Sequence, residues 1–499
     1  MIPFRVVVLG GGIAGLAAAH RLVELAGQRG IALDLAIVEA RPHLGGTIAT
    51  ERSDGYLIEA GPDSFLTEKP WGVSLCDRLG LTPTLIGPRS AYRRTFVVHA
   101  GRLLPLPDGF QLVAPARLWP VVWSRLFSWP GKARMALDLV LPRGPAQGDE
   151  SLAAFVTRRF GREVLERVAQ PMVAGIYTAD PETLSLAATM PRFLEMERTS
   201  RSVIRALRRN RVPREGSGPR WSLFVAPSDG MGALVEALAA RLPAGALRTG
   251  SRVVLLVRIG GARGGTDGPS GKQAHYRVGL ENGTFLEAQA VIVATEAHRA
   301  SRLVAGLDAE LARYLGEIPY ASSATVTLAY RREDVAHPLD GFGFVVPRTE
   351  GRPLLACTFS SVKFPGRAPD GHVLLRAFLG GTLQAGVLDR DDASLAALAE
   401  DQVRGLLGAS AAPRLVRLHR HESAMPQYLI GHLDRIAAIE ARSKPHPGLA
   451  FAGAAYGGVG VPDCIRSGEE AAERVVAECL GGAGDAPAGA AQRPEIQVR

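Results

Sequence analysis

Short apolar runs of strand length recur along the chain, and a glycine-rich turn follows the first of them at once. Residues 4–9 (FRVVVL) predict a fully buried strand, residues 10–15 a turn and residues 16–24 an amphipathic helix. A second apolar strand is predicted at 33–38, and it ends at Glu39. The chain therefore opens with a βαβ unit, which is typical of a parallel sheet covered by helices.

The rest of the chain alternates between further apolar runs and polar or proline-rich stretches. We predict helices at 150–170, 197–212 and 467–479, and strands at 250–257, 276–280, 290–294, 324–330, 373–379 and 449–452. A Gly-rich hairpin tip is predicted at 260–272. A disordered tail is predicted at 481–499, because that segment is rich in Gly, Ala and Pro.

The first turn reads Gly10-Gly11-Gly12-Ile13-Ala14-Gly15, a G-x-G-x-x-G motif between strand and helix. Gly10 permits the tight turn, Gly12 lets a pyrophosphate approach the backbone, and Gly15 lets helix and strand pack closely. The N-terminus of the helix faces the phosphates. Glu39, followed by Ala40, stands where a carboxylate can bind ribose hydroxyls. The motif and the acid together predict a dinucleotide-binding site.

Two more glycine-rich segments favour FAD over NAD as the dinucleotide. Gly45-Gly46-Thr47 and Gly61-Pro62-Asp63-Ser64 follow the second strand, where a domain that binds only NAD needs no further glycine pair. A strand–glycine–helix unit returns near the C-terminus, where Gly460-Val461-Pro462 lead into a helix whose N–H groups can face a flavin. For the pair at 45–46 the alternative is an ordinary β-turn.

Charge and cysteine content narrow the choice of partners and compartment. The chain has 58 Lys+Arg against 49 Asp+Glu, and the excess lies in residues 89–143 (nine basic, two acidic) and 192–220 (nine basic, three acidic). Such local charge suits carboxylates or anionic lipid, and no nucleic-acid-binding motif accompanies it. The four cysteines form no C-x-x-C pair, so neither a metal site nor a disulfide is predicted. Without a long apolar run or a leader, the protein is expected in the cytoplasm.

Three longer strings resemble oxygen-dependent protoporphyrinogen oxidases, members of the FAD amine-oxidase-like superfamily. They lie at 149–185 (ending QPMVAGIYTADPETLS), 424–432 (AMPQYLIGH) and 456–465 (YGGVGVPDCI). The resemblance implies an FAD enzyme of heme biosynthesis that oxidises protoporphyrinogen IX to protoporphyrin IX with O2 and releases H2O2. No catalytic acid or base can be named, and flavin N5 is expected to take the hydride.

The resemblance also implies an α/β fold. It combines a Rossmann-like FAD-binding domain of the amine-oxidase/PHBH type, an α+β substrate domain and an inserted helical, membrane-associated domain. On this basis we assign 1–86, 222–303 and 432–480 to the FAD-binding domain, 186–221 and 304–431 to the substrate-binding domain, and 87–185 to the helical domain.

By the same resemblance, the substrate contacts are expected at Arg94, Gly175, Val345, Thr358 and Phe378. The backbone of Gly175 is expected to approach the tetrapyrrole, Phe378 to lie against a pyrrole ring and Val345 to sandwich the macrocycle. Thr358 stands where the family often has leucine. Arg94 is the candidate for binding a propionate, although the strict register falls on Thr95. Val253 is placed on the adenine side of FAD, Lys363 is expected at the surface, and His432 is expected to be structural.

Segment 117–134 combines Trp119, Trp123 and Trp129 with several basic residues, which is typical of a stretch lying on a membrane surface. We expect peripheral association with the inner face of the cell membrane. The alternative is a helical cover over the substrate channel. Two further expectations follow from the resemblance: the protein forms a homodimer, and it hands its product over to a ferrochelatase.

Other interpretations keep the fold and change the activity. One is oxidation of coproporphyrinogen III to coproporphyrin III. More remote are a flavin amine oxidase, a carotenoid desaturase and a non-catalytic binding protein such as the Rab GDP dissociation inhibitors. The intact glycine motifs argue against the last of these, and a purified protein without yellow colour would support it.

Overall fold

The structure, a computed structural model, describes residues 3–92, 94–144, 148–209, 223–259 and 275–481. The predicted hairpin tip at 260–272 lies outside the described residues. So do the last three residues of the helix predicted at 197–212 and all but the first residue of the predicted tail.

The strands are β1 (Phe4–Leu9), β2 (Leu33–Val38), β3 (Thr50–Ser53), β4 (Tyr56–Glu59), β5 (Phe65–Leu66), β6 (Leu85–Ile86), β7 (Thr95–His99), β8 (Arg102–Pro105), β9 (Phe110–Gln111), β10 (Ala114–Pro115), β11 (Phe224–Pro227), β12 (Leu247–Arg248), β13 (Val253–Arg258), β14 (Tyr276–Leu280), β15 (Phe285–Ala288), β16 (Ala290–Val293), β17 (Tyr320–Arg331), β18 (Gly343–Val345), β19 (Leu354–Phe359), β20 (His372–Gly380), β21 (Leu415–Pro426) and β22 (Leu449–Phe451).

The helices are α1 (Ile13–Arg29), α2 (Pro70–Arg78), α3 (Trp119–Trp123), α4 (Trp129–Ala136), α5 (Leu152–Phe160), α6 (Arg162–Val164), α7 (Gln170–Tyr177), α8 (Leu186–Thr189), α9 (Pro191–Ser200), α10 (Val203–Arg209), α11 (Gly232–Ala240), α12 (Ala297–Val304), α13 (Ala309–Gly316), α14 (Ser360–Lys363), α15 (Asp392–Leu407), α16 (His432–Ser443) and α17 (Val461–Leu480).

A parallel sheet in the order β12-β2-β1-β16-β22 joins the two ends of the chain. Alternate residues of β1 pack into two cores, as the pleat requires. Val6 and Val8 pack with α1 and α17, and Val7 and Leu9 pack with β14 and α12. This sheet confirms the predicted βαβ unit and brings β22, near the C-terminus, into the same sheet as β1.

A second, mixed sheet runs in the order β21-β17-β20-β19-β18-β7-β8. Its β18 and β7 are parallel, and its other neighbouring strands are antiparallel. One face packs on α15. Both β7 and β8 fall inside the segment 87–185 that we assigned to the helical domain. The pairing of β7 with β18 joins strands that are far apart in the sequence, and it leaves no local pattern. The predicted domain boundary at residue 87 therefore does not match the packing.

The helices between residues 119 and 209 surround a third core, which includes Phe155, Phe193 and Ile204. The helix predicted at 150–170 is interrupted at Gly161, where φ is +95°. Arg134 donates hydrogen bonds to the carbonyls of residues 157–159 and so stabilises the end of α5. Since α8 to α10 share this core, residues 186–209 pack with the helical segment rather than with the substrate sheet alone. The domain assignment itself stays a prediction.

Candidate active site

The G-x-G-x-x-G turn has the geometry that a dinucleotide requires. Gly10 has φ +108°, and a Cβ there would lie 2.7 Å from the Ala294 carbonyl oxygen. A Cβ on Gly15 would lie 2.0 Å from the carbonyl oxygen of Gly10, so helix and turn touch. Gly12 differs, because its Cβ would meet nothing closer than the Cα of Gly46 at 3.9 Å. An open space therefore lies over the N-terminus of α1, where backbone N–H groups can face phosphates.

Glu39 and the second glycine pair lie beside this open space. The Glu39 carboxylate accepts hydrogen bonds from the backbone N–H groups of Gly11 (2.7 Å) and Arg41 (2.8 Å). The Gly45 N–H donates to the carbonyl of Gly11 at 2.8 Å, and Gly12 and Gly45 form a parallel bridge. The pair at 45–46 therefore borders the same open space as the first turn and is more than an isolated turn.

The other residues predicted at this end divide between core and surface. Ile13 and Ala14 are buried in the first turn of α1, whereas Ala40 and Thr47 are exposed. Val253 begins β13, two residues beyond Ser251, whose N–H donates to the Glu39 carbonyl at 2.9 Å. Val253 thus lies near the end of the site where Glu39 stands, and its place on the adenine side stays a prediction.

The segment Gly61-Pro62-Asp63-Ser64 packs on Thr47, next to the second glycine pair, and carries a partly buried ion pair. A Cβ on Gly61 would lie 2.0 Å from the Thr47 carbonyl oxygen. The Asp63 carboxylate accepts from Lys363 Nζ at 3.0 Å. Lys363 is therefore no surface lysine, since its side chain is 13% exposed and it ends α14. That expectation was wrong because its partner lies 300 residues away.

Arg376, which lies on β20, contacts this segment and was missed by the sequence analysis. Its Nη1 donates to the carbonyls of Glu59 (3.0 Å) and Gly61 (2.7 Å), and its Nη2 lies 3.9 Å from Asp63. Burial alone would raise the pKa of the Asp63 carboxyl, but Lys363 and Arg376 hold it well below its ordinary value. Asp63 is therefore ionised, and the two cations fix the segment against the second sheet.

The C-terminal glycine-rich segment leads into α17 six residues earlier than predicted. The helix begins at Val461 with Gly460 as its N-cap and Pro462 in its first turn, a position where proline is favoured. The prediction of a start at 467 was therefore wrong. Asp463 is 4% exposed and pairs with Lys69. A Cβ on Gly453 would meet nothing within 4 Å, so this loop also borders open space.

Two of the predicted substrate residues, Phe378 and Val345, lie in one row across the second sheet. Phe378 pairs across the strands with Ala356, Ala356 with Val345, and Val345 with Val97. All four contribute to one cluster that also contains Val459. Val459 lies in residues 452–460 between β22 and α17, which we call the C-terminal loop. We call the row Phe378, Ala356, Val345 and Val97 the apolar face. Thr358 lies two residues further along β19 than Ala356, opposite Arg376.

Gly175 lies at the exposed end of α7, next to the apolar face. Its Cβ would meet nothing within 4 Å, and the following Ile176 is 42% exposed. The Thr382 N–H donates to the Thr178 carbonyl at 2.9 Å, which ties this end of α7 to the end of β20. The structure therefore places α7, the helix that carries Gly175, in the same cluster as Val345, Phe378 and Val459.

Arg94 is not brought to the apolar face. Its side chain is 63% exposed and donates to Asp340 at 2.9 Å. The residue on the row of Thr358 and Arg376 is Thr95, which pairs with Gly343. A strand alternates its side chains between faces, so the shift of one residue from the strict register changes the face. The role of Arg94 toward a propionate stays a prediction.

His432 is the first residue of α16, is fully buried, and stacks on the ring of Tyr428 with centroids 4.0 Å apart. Burial, with a smaller contribution from the charge of Arg435, lowers the pKa of His432 to about 4. The unfolded chain therefore binds this proton more readily. We expect the free energy of unfolding to fall by up to roughly 3 kcal/mol from pH 6.5 to pH 4, and to stop falling through this residue below pH 4.

Urea unfolding of the wild type and of His432→Phe across this range measures that effect, since phenylalanine keeps the stacked ring without the titrating group. The difference in unfolding free energy between the two proteins should change with pH above pH 4 and be constant below it. A difference that does not vary with pH would contradict the assignment.

The fold and the site define a flavoprotein. Its glycine-rich segments at 10–15 and 45–46 border the same open space. Residues 13–476 match the family of flavin-containing amine oxidoreductases. The chain is 35% identical to coproporphyrinogen III oxidase of Bacillus subtilis (94% of this chain, 97% of the relative). It is 31% identical to protoporphyrinogen oxidase 1, chloroplastic, of Spinacia oleracea (94% and 84%).

A crystal structure from Exiguobacterium sp. 255-15, provisionally named a protoporphyrinogen oxidase, superposes with a TM-score of 0.82. It is 29% identical, with 94% of this chain and 98% of that chain covered. The chain belongs to the flavin-containing amine oxidoreductase family, and its cofactor is FAD. The predicted amine-oxidase-type FAD-binding fold, the resemblance and the cofactor are confirmed. The membrane association of the inserted helical domain stays a prediction.

Proposed function

We propose that the protein is an FAD- and O2-dependent porphyrinogen oxidase, which converts a colourless porphyrinogen to a porphyrin and releases H2O2. The observation that carries the proposal is the cluster formed by the apolar face, α7 and Val459 of the C-terminal loop. A flat, electron-rich macrocycle needs an apolar wall against its rings and free space above them. Phe378 and Val345 supply the wall, and Gly175 leaves the space open.

The chain's residues would act in this reaction by holding and positioning. In each round a carbon of the macrocycle loses a hydride and a nitrogen loses a proton, and the two electrons reach O2 to give H2O2. Bound FAD supplies the hydride acceptance and the reaction with O2. The residues at 10–15, Glu39 and 45–46 would hold its dinucleotide part. The apolar face orients the substrate, and correct orientation alone is a large part of such a rate enhancement.

Two substrates share this proposal. The strings in the sequence predict protoporphyrinogen IX, and the similarity to the coproporphyrinogen III oxidase of Bacillus subtilis supports coproporphyrinogen III equally. The experiment is aerobic oxidation of each compound by the purified yellow protein, with porphyrin fluorescence and H2O2 measured together. A larger kcat/KM identifies the substrate. Absence of an enzymatic rate with both compounds, or H2O2 production from a primary amine instead, would overturn the proposal.

We further propose that segment 117–134 lies on a membrane surface. Trp119, Trp123 and Trp129 are 73%, 80% and 70% exposed, and Lys132 lies 4.4 Å from the centre of the Trp129 ring. Exposed indoles beside basic groups suit the interface of an anionic bilayer. None of the helices in the described part of the chain is long and apolar enough to cross a membrane.

Replacing the three tryptophans by alanine together should reduce co-sedimentation with anionic vesicles at least ~10-fold, because each indole adds apolar area at the interface. Neutral phosphatidylcholine vesicles serve as the second surface, and Trp71→Ala, outside this segment, serves as the control variant. Equal sedimentation of wild type and triple variant would contradict the membrane proposal. The homodimer and the hand-over to a ferrochelatase stay predictions.

A further inference from the structure

The three strings that carry the family resemblance meet in space at Tyr428. The backbone carbonyl of Tyr428 accepts from the Ser185 N–H at 2.8 Å, and the Ile430 N–H donates to the Thr183 carbonyl at 3.0 Å. These bonds join the string at 424–432 to the string at 149–185. The third string, at 456–465, contributes a bond to the side chain of Tyr428.

The hydroxyl of Tyr428 holds the C-terminal loop at both of its ends. It donates to the Ala454 carbonyl and accepts from the Gly458 N–H at 2.8 Å. The side chain is 3% exposed, and burial raises the pKa of its hydroxyl well above the ordinary value. The hydroxyl is therefore protonated and serves as donor and acceptor at once. His432, stacked on the ring, restricts its rotation.

The residue before Tyr428 contacts the end of α7, the helix that carries Gly175. Gln427 is 2% exposed, and its Nε2 donates to the Tyr177 carbonyl at 3.0 Å. Tyr177 ends α7, two residues after Gly175. Two consecutive side chains thus hold the loop that borders the open space at Gly453 and the helix end that carries Gly175.

We propose that Tyr428 is a positioning residue for the flavin, and that Gln427 and Tyr428 together fix the distance between the C-terminal loop and the end of α7. Loss of the Tyr428 hydroxyl frees the Ala454 carbonyl and the Gly458 N–H, so the loop can take other conformations. The part of the proposal that concerns Gln427 rests on the proposed function, whereas the part that concerns Tyr428 rests only on FAD binding.

The test is Tyr428→Phe, which removes one oxygen and keeps the ring that stacks on His432. We expect about 10-fold weaker FAD binding, equal to about 1.4 kcal/mol, and an altered midpoint potential and visible spectrum of the bound flavin. Tyr276→Phe is the matched control, because its buried hydroxyl also donates to a carbonyl, that of Pro447 at 2.9 Å, away from the loop. Wild-type affinity, potential and spectrum in Tyr428→Phe would overturn the proposal.

Two further measurements keep the proposal testable if Tyr428→Phe does not fold. Hydrogen exchange of the wild-type holoenzyme should show a protected amide at Gly458, and exchange as fast as in an exposed loop would overturn the proposal. Gln427→Met should raise KM for the porphyrinogen several-fold and leave FAD affinity unchanged. An unchanged KM would refute the role of Gln427. If the wild type oxidises neither porphyrinogen, the proposed function fails and the FAD measurements on Tyr428 still decide their part.

Discussion

Gly12→Val is expected to abolish FAD binding and to leave the apoprotein folded. Gly12 has φ −73° and ψ 176°, an extended conformation that valine adopts without strain. Its side chain would enter the open space over the N-terminus of α1, where the nearest atom to a Cβ is 3.9 Å away. A pyrophosphate that approaches those N–H groups would occupy this space. We expect FAD to bind at least ~100-fold more weakly, about 2.8 kcal/mol.

Absorbance of the purified variant at flavin wavelengths, and titration of the apoprotein with FAD, measure this loss. Gly27→Val is the matched control on the same helix, since a Cβ at Gly27 would meet nothing within 4 Å and the residue is exposed. The control should stay yellow, and both variants should unfold at nearly the same urea concentration as wild-type apoprotein. A yellow Gly12→Val protein would mean that the cofactor binds elsewhere.

The features predicted well from the sequence are those in which the chemistry is local. The turn at 10–15 and the carboxylate of Glu39 lie within one βαβ unit, so strand, helix and spacing specify them together. The β20 strand also follows from a short apolar run, whereas the role of Phe378 on it is implied by the resemblance alone. In each case residues close in sequence determine the conformation, and the periodicity of the side chains shows the outcome.

The features that the sequence analysis missed depend on partners far along the chain. Lys363 looked like a surface residue until Asp63 was found within 3.0 Å of it. Arg376 lies in an apolar strand, and no neighbouring residue indicates that its side chain donates hydrogen bonds to the carbonyls of Glu59 and Gly61. The early start of α17 was missed for another reason. The glycines before it suggested a loop, although Pro462 is well placed in a first helical turn.

The helical region contains a long-range ion cluster of the same kind, centred on Arg159. The Arg159 side chain is fully buried, and its five N–H groups all have acceptors within the described residues. Nε donates to Asp138 at 2.6 Å, and Nη1 lies 3.2 Å from Glu197. Asp138 is also fully buried and accepts from the Ile204 N–H at 3.0 Å. One guanidinium thus joins α5 to α9 and to the segment after α4.

Arg159→Met is therefore expected to destabilise the helical region strongly. Methionine fills much of the volume but leaves the carboxylate of Asp138 buried without its cation. Removing one partner of a buried pair typically costs about 3–5 kcal/mol, because the remaining charge is not compensated. Urea unfolding followed by tryptophan fluorescence should show the loss, since Trp119, Trp123 and Trp129 lie in this region.

The contrast with Arg162→Met separates burial from charge. Arg162 lies three residues further along, is 80% exposed and pairs with Glu166 at 2.6 Å. Water solvates both of these charges after the pair is broken, so we expect no measurable loss of stability. Asp138→Asn in the Arg159→Met background should restore part of the loss, because it removes the uncompensated charge. If the two single variants unfold alike, the cluster at Arg159 contributes no more than a surface pair.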